Sequence, residues 1–107
     1  MTPTETLFAQ AQAHFENDPD VTTGKLFGHP CLSVRGKAFV VRFHDDLVFK
    51  LGRDRATALL EQHMELRLFD PSGKGRAMRD WVQAPTSFSH EVKAWSEGSR
   101  DFVLDQL

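Results

Sequence analysis

Apolar and polar residues alternate along the middle of the chain in three short runs, a pattern typical of β-strands. The runs span residues 32–35, 39–43 and 47–51, and turns at Gly36-Lys37 and His44-Asp45-Asp46 separate them. They predict an antiparallel meander. One face collects apolar side chains: Leu32, Val34, Phe39, Val41, Phe43, Leu47, Phe49 and Leu51. The opposite face collects a mixed set: Ser33, Arg35, Val40, Arg42, Val48 and Lys50. Ahead of the meander, Lys25-Leu26-Phe27 runs into a predicted break at Gly28-His29-Pro30.

Helical patterns flank the meander. Thr2 and Glu5 form a capping box around Pro3, and the residues that follow recur at i, i+3 and i+7 spacing. Those residues are Phe8, Ala11 and Phe15. A second helix is predicted from about Arg53 to His63, and a last helix begins after a cap at Thr86 or Ser87.

Two further short strands are predicted at residues 66–69 and 78–83, so the expected order is α-β-β-β-α-β-β-α. Such an order predicts one α+β domain over residues 1–107, with two layers. One layer is a single antiparallel sheet of about five strands, and the other consists of helices on one face of it.

Composition narrows the class of protein. The chain is 40% hydrophobic and 26% charged, which is ordinary for a globular domain. A single cysteine, Cys31, excludes an internal disulfide and fits a reducing compartment. No signal peptide is readable at the N-terminus, and no apolar run is long enough to cross a membrane. We therefore expect a cytoplasmic protein without a membrane segment.

The charge is unevenly distributed along the chain. The net charge is −2, yet residues 1–22 hold four acids and no bases, whereas residues 23–55 hold seven bases and three acids. A basic middle is either a solvated sheet face or a surface that meets anions. The candidate contacts on that face are Arg35, Lys37, Arg42 and Lys50.

A glycine-rich basic loop is the second candidate site. Residues 72–76 read Ser-Gly-Lys-Gly-Arg, and Arg79 follows. The two glycines allow backbone N–H groups to converge on an anion, with Lys74, Arg76 and Arg79 around it. The alternative is an ordinary exposed hairpin loop, since no helix follows in a P-loop arrangement.

Catalytic and metal chemistry have little support in the sequence. His29 and Cys31 are two residues apart and form the only arrangement that resembles an activated thiol. The alternative interpretation is that Cys31 is a buried or half-buried structural thiol. The five histidines show no paired ligand spacing, and no nucleophile elbow or phosphate-binding loop is present. We expect no metal, no cofactor and no enzymatic activity.

Several short motifs occur in a characteristic order. They are Leu26-Phe27-Gly28, Gly36-Lys37-Ala38-Phe39, Lys50-Leu51, Asp70-Pro71-Ser72-Gly73, Met78, Trp81-Val82 and Pro85. Together they resemble the N-terminal domain of the TfoX/Sxy competence-regulator family. The resemblance implies a secretion-chaperone-like two-layer fold, a role in competence or transcription regulation in bacteria, and no catalytic residues. Named members carry a second, C-terminal helical domain, whereas this sequence ends after its last predicted helix. We therefore expect a stand-alone N-terminal-like domain.

We expect a regulatory protein-interaction module. The sheet face or edge would mediate homodimerisation or partner docking, with Val40 and Val48 as an apolar centre between Arg42 and Lys50. The first alternative is weak, salt-sensitive nucleic-acid or anion binding through the basic residues of the face and the loop. The second alternative is a small enzyme that uses Cys31 and His29.

Overall fold

A computed structural model describes all residues, 1–107, and shows an open antiparallel sheet with three helices. The sheet has six strands in the order β1-β2-β3-β4-β6-β5. The strands are β1 (Val21–Leu26), β2 (His29–Val34), β3 (Lys37–Phe43), β4 (Asp46–Lys50), β5 (Arg67–Phe69) and β6 (Met78–Pro85). The helices are α1 (Pro3–His14), α2 (Arg53–Gln62) and α3 (Val92–Asp105). The predicted α+β class is confirmed, with one strand more than expected.

The additional strand is β1, at one edge of the sheet. Four consecutive residues of it are exposed, so no alternation of apolar and polar positions marks it in the sequence. It pairs with β2 through the two-residue turn Phe27-Gly28, in which both φ angles are positive, 52° and 80°. The predicted break is confirmed at Gly28, which lies in the turn, and is wrong at His29 and Pro30, which belong to β2. Proline is accommodated there because the β2–β3 ladder starts only at the next residue, Cys31.

An irregularity in β3 reverses part of the predicted face assignment. Leu32 pairs with Val40, but the next residue of β2, Ser33, pairs with Ala38, so β3 carries one extra residue, Phe39. Such a bulge shifts the following residues to the opposite face. Beyond it, the predicted faces are wrong for Val40, Val41, Arg42 and Phe43.

The main core lies between the sheet and the helices. Phe39 of β3 meets Phe15 edge-on with ring centroids 5.4 Å apart, and Phe49 of β4 meets Trp95 of α3 at 5.6 Å. Val40 belongs to this core, and Ala56 of α2 is fully buried in it. All three helices therefore cover the same face of the sheet.

The opposite face, here called the far face, carries a second, smaller core. Its buried members are Cys31, Val41, Val48, Phe69 and Trp81. Phe69 of β5 contacts Phe43 of β3 with ring centroids 5.0 Å apart, although β4 and β6 lie between these strands in the sheet. The sheet is thus curled, and the curl buries apolar side chains where a wet face was expected.

The predicted cap is confirmed for the first helix and is wrong for the last helix. Glu5 N–H donates to Thr2 Oγ1 at 3.1 Å and Thr2 N–H donates to Glu5 Oε1 at 3.0 Å, which confirms the capping box. The cap predicted at Thr86 or Ser87 is wrong, because Thr86–Glu91 forms a 3₁₀ turn without a side-chain cap. That turn buries Phe88, whose ring stacks on Trp95 at 5.5 Å. No helix of this fold is long and apolar enough to cross a membrane.

Candidate functional site

An apolar recess opens at the margin of the far face, between the β1–β2 turn and residues 70–77, here called the Asp70 loop. The recess has a volume of about 390 Å³. It is lined by Phe27, Pro71, Ser72, Arg76 and Met78, and is called the Phe27 recess below. The curl of the sheet produces it, because the curl brings the loop after β5 close to the turn that leads out of the opposite edge strand.

Phe27 is the most unusual residue of this recess. Its φ is 52° and the residue is 60% exposed. A bulky residue in the left-handed region is a genuine outlier, because its Cβ crowds the backbone, and such strain costs on the order of 1–3 kcal/mol. Glycine, asparagine or aspartate would fit this turn position without that strain. The fold therefore holds a strained backbone position and gains little packing from the ring, as expected where the ring contacts another molecule.

Hydrogen bonds within the Asp70 loop fix its shape. The Asp70 carboxylate accepts from the Ser72 hydroxyl at 2.9 Å, from Gly73 N–H at 3.1 Å and from Gly75 N–H at 2.9 Å. The Ser72 hydroxyl and then these amides hold the pKa of Asp70 below its ordinary value. The converging amides expected of a glycine-rich loop are present, but the anion that they bind is a carboxylate of the chain itself.

The cations in this loop and next to it in β6 have no ion-pair partner. Lys74, Arg76 and Arg79 are exposed, and none of them takes part in an ion pair. Residues 70–77 hold two cations, Lys74 and Arg76, and one carboxylate, Asp70, so the rim of the Phe27 recess carries a net positive charge on the loop side. Its backbone contributes no free donor at Gly73 or Gly75.

The structure does not gather the predicted basic face. Arg35 pairs with Asp20 at 3.5 Å, and Arg42, turned toward the helices by the bulge, lies 3.7 Å from Glu5. Lys37 is exposed at the start of β3. Lys50 is on the far face, where its ammonium group lies 5.7 Å from the Trp81 ring centre.

The predicted apolar contact centre on the sheet face is wrong as well. Val40 is buried in the main core and Val48 in the core of the far face, so the two side chains lie on opposite sides of the sheet. Neither is available to a partner.

A second recess, also about 390 Å³, is polar. Two of its charged lining residues, Glu5 and Arg42, face one another. Arg42 is near Glu5, whose pKa is lowered by hydrogen bonds from the Thr2 amide and hydroxyl and then by Arg42. The His29 and His44 rings meet edge-on with centroids 5.4 Å apart. The acid and the base of this pair offset each other's charge, and the two rings contact each other.

Cys31 and His29 do not form a catalytic pair in this structure. Cys31 is 2% exposed, and its Sγ has one polar neighbour, Ser33 Oγ at 3.7 Å. The His29 ring packs against Phe43 instead, with centroids 4.7 Å apart. No group of three or more His, Cys, Asp or Glu side chains is arranged to hold a metal ion.

The sequence predicts a candidate site in the Asp70 loop, which forms one side of the Phe27 recess, but not the β1–β2 turn, which forms the other side. The signal was weak, because β1 shows no alternation of apolar and polar positions, and only Gly28 indicates the two-residue turn, in which φ is positive at both positions. A phenylalanine at the first of these positions departs from the usual Asn, Asp or Gly. Met78 belongs to the recess only because the sheet curls, which the strand pattern does not encode.

Comparisons of the chain with protein-family models, with curated proteins and with solved structures found no match. The TfoX/Sxy resemblance therefore stays a prediction, and the geometry of the recess is the basis for a function.

Proposed function

We propose that the chain is a non-enzymatic protein-interaction domain that binds a segment of a partner protein in the Phe27 recess. The observation that carries this proposal is Phe27 itself, which combines a φ of 52° with 60% exposure of the residue at the mouth of the recess. Exposed aromatic anchors beside a pocket are the usual energetic centres of protein contacts. Backbone strain that is not offset by packing of the side chain is typical of functional positions.

The charge of the rim specifies the chemistry of the partner. The recess is lined by Phe27, Pro71 and Met78, which suit one apolar side chain. Arg76 lines it too, and Lys74 is exposed in the same loop without an ion pair. Charge complementarity then favours a segment in which an apolar residue is flanked by carboxylates.

Nucleic-acid or anion binding is the alternative. It is less well supported because Arg35 and Arg42 are paired with acids and the amides of Gly73 and Gly75 are occupied. Proteins that bind single strands stack successive bases on several exposed aromatic rings, whereas Phe27 is the single large exposed aromatic residue here.

The proposal includes a regulatory role in the bacterial cytoplasm. What supports it is the TfoX/Sxy resemblance, whose motif residues Phe27-Gly28, Asp70-Pro71 and Met78 are those around the recess. A partner among transcription regulators is the corresponding expectation.

Backbone amide shifts measured by NMR during titration with short synthetic peptides test this function. The first peptide carries one leucine between aspartates, the second has alanine for that leucine, and the third has lysines for the aspartates. We expect the first peptide alone to shift amides of the β1–β2 turn and of the Asp70 loop. Equal shifts with the alanine peptide, or no shifts at all, would overturn the proposal. Stronger shifts of the same amides by a single-stranded oligonucleotide would favour the alternative.

The substitution Phe27→Asn separates binding from folding. Asparagine tolerates the left-handed conformation, so we expect unfolding free energy to stay unchanged or rise by about 1 kcal/mol. Peptide affinity should nevertheless fall by about tenfold, because the aromatic wall of the recess is lost. Arg76→Glu should weaken binding by about fivefold through charge reversal, with Arg67→Glu as the control. Arg67 is exposed, as Arg76 is, but lies on β5 and does not line the recess.

A further inference from the structure

The outer edge of β1 carries backbone groups without partners. Leu26 and His29 flank the two-residue turn and form a hydrogen-bonded pair. Backbone groups of an antiparallel strand alternate in direction, so Leu26, Gly24 and Thr22 bond to β2. The N–H and C=O groups of the intervening residues point away from the sheet.

Three residues of β1 therefore face outward: Val21, Thr23 and Lys25. The Val21 N–H already donates to the Asp18 carbonyl at 3.2 Å. Thr23 and Lys25 make no hydrogen bond outside the sheet, by backbone or by side chain. Both are exposed, and the strand contains no proline. This edge can accept another strand.

We infer that two copies of this chain pair through β1, antiparallel, with the two-fold axis at Gly24. The pairing joins the two sheets into one continuous sheet, and each copy presents the same surface to the other. This inference goes beyond the proposed function and uses a different surface, the strand edge instead of the recess.

Hydrogen bonding selects this register. Outward-facing residues can pair only with outward-facing residues, and only two-fold axes at Thr23, Gly24 or Lys25 bring Thr23 or Lys25 of one copy opposite Thr23 or Lys25 of the other. An axis at Gly24 pairs Thr23 of each copy with Lys25 of the other. The free N–H groups of both residues then form hydrogen bonds in both copies. An axis at Thr23 would pair Lys25 with Val21, whose N–H is already engaged.

The side chains select the same register. An axis at Gly24 places Val21 opposite Phe27, and Thr22 opposite Leu26, of the second copy. An axis at Lys25 would instead place two lysines directly opposite each other, which is unfavourable.

The size of the contact predicts a weak dimer. Two strands of six residues meet along one edge, which is below the area of a standard stable interface. We therefore expect a concentration-dependent equilibrium between monomer and dimer, and not a permanent assembly.

Sedimentation equilibrium over a wide concentration range tests the pairing. The apparent mass should rise from 12.1 kDa towards twice that value. Thr23→Pro removes an outward N–H and leaves the β1–β2 ladder intact, so it should abolish the rise without a large loss of stability. Thr23→Val keeps the N–H and is the matched control. A wild-type chain that stays monomeric at every concentration would overturn the inference, as would a dimer that Thr23→Pro leaves unchanged.

Single cysteines read the register. A disulfide needs Cα atoms no more than about 7 Å apart, and only the residue on the axis meets its own copy at that distance, about 4.5 Å in a non-hydrogen-bonded pair. Under mild oxidation Gly24→Cys should therefore cross-link, whereas Thr23→Cys and Lys25→Cys should not. Gly24 has open space around its missing Cβ, and the native Cys31 is buried. Preferential cross-linking at either neighbouring position would overturn the register.

The two proposals fail separately. Phe27 lines the recess and follows directly after β1, so the variants that test pairing leave it unchanged. If Thr23→Pro is monomeric and still binds the acidic leucine peptide, both proposals hold. If it is monomeric and the peptide fails with every variant, only the recess proposal is lost.

Discussion

At the residue scale, some glycine positions of this fold require glycine, whereas other positions would accept a larger residue. Gly52, just before α2, has φ 92° and ψ 155°, a region that is essentially restricted to glycine. A Cβ there would lie 2.6 Å from Cε1 of Phe102. Gly24 in β1 has no atom within 4 Å of the same point and no positive φ. Sequence alone does not distinguish the two, because the difference arises from the position of Phe102 on α3.

The contrast predicts very different costs for the same substitution. Gly52→Ala combines backbone strain with a clash against an aromatic ring, so the free energy of unfolding should fall by about 3 kcal/mol or more. Gly24→Ala should change it by less than about 0.5 kcal/mol. Urea unfolding of both variants in dilute solution, where β1 pairing does not contribute, measures the difference. Similar losses in the two variants would contradict the assigned role of Gly52.

Strands and loops at the element scale show what periodicity can and cannot predict. β4 follows its alternation and faces as predicted, because it has no irregularity. β3 contains the same kind of pattern, yet one bulge residue, Phe39, moves Val41 and Phe43 to the far face. A bulge leaves no periodic mark when apolar residues stand on both sides of it, as Phe39, Val40 and Val41 do. The bulge also divides the predicted basic face, because it places Arg42 on the face covered by the helices while Lys50 lies on the far face.

The Asp70 loop gives the prediction at this scale. The carboxylate accepts hydrogen bonds through both oxygens, from Gly73 and Ser72 at one and from Gly75 at the other. Asp70→Asn supplies one acceptor oxygen in place of two. We expect faster hydrogen exchange of the Gly73 or Gly75 amide at neutral pH, together with weaker peptide binding in the Phe27 recess. Ser89→Ala, in the 3₁₀ turn, should leave both measurements unchanged.

The pKa of Asp70 gives the same loop a pH dependence of known sign. Because the folded pKa lies below the ordinary value of 3.8, the carboxylate favours the folded loop fully at higher pH. The contribution is lost as pH falls from 3.8 toward the folded pKa. Exchange protection of Gly73 and Gly75 should therefore decrease in that acidic window and should be insensitive to pH between 5 and 8. Asp70→Asn should lack the transition.

At the scale of the whole molecule the sheet separates two apolar clusters of unequal size. The sequence predicted one layer of helices on one face, which is confirmed, and an opposite face that is either wet or meets a partner, whereas that face carries a buried core of its own. The second core forms because the sheet curls until Phe69 reaches Phe43, a long-range effect that local alternation does not contain. The Phe27 recess is a consequence of the same curl. Both the fold error and the missed half of the site therefore have one physical origin.

The two tryptophans test whether the two cores form one cooperative unit. Trp81 is buried in the far-face core and Trp95 in the main core, so each reports on one side of the sheet. Strands β2, β3 and β4 contribute side chains to both cores, so neither can unfold while the other keeps its sheet. In Trp81→Phe and in Trp95→Phe, the remaining tryptophan fluorescence should change at the same urea concentration as the far-ultraviolet circular dichroism of that variant. A Trp81 signal that changes well before the dichroism would instead mean that the far-face core, and the recess at its margin, opens independently of the main core.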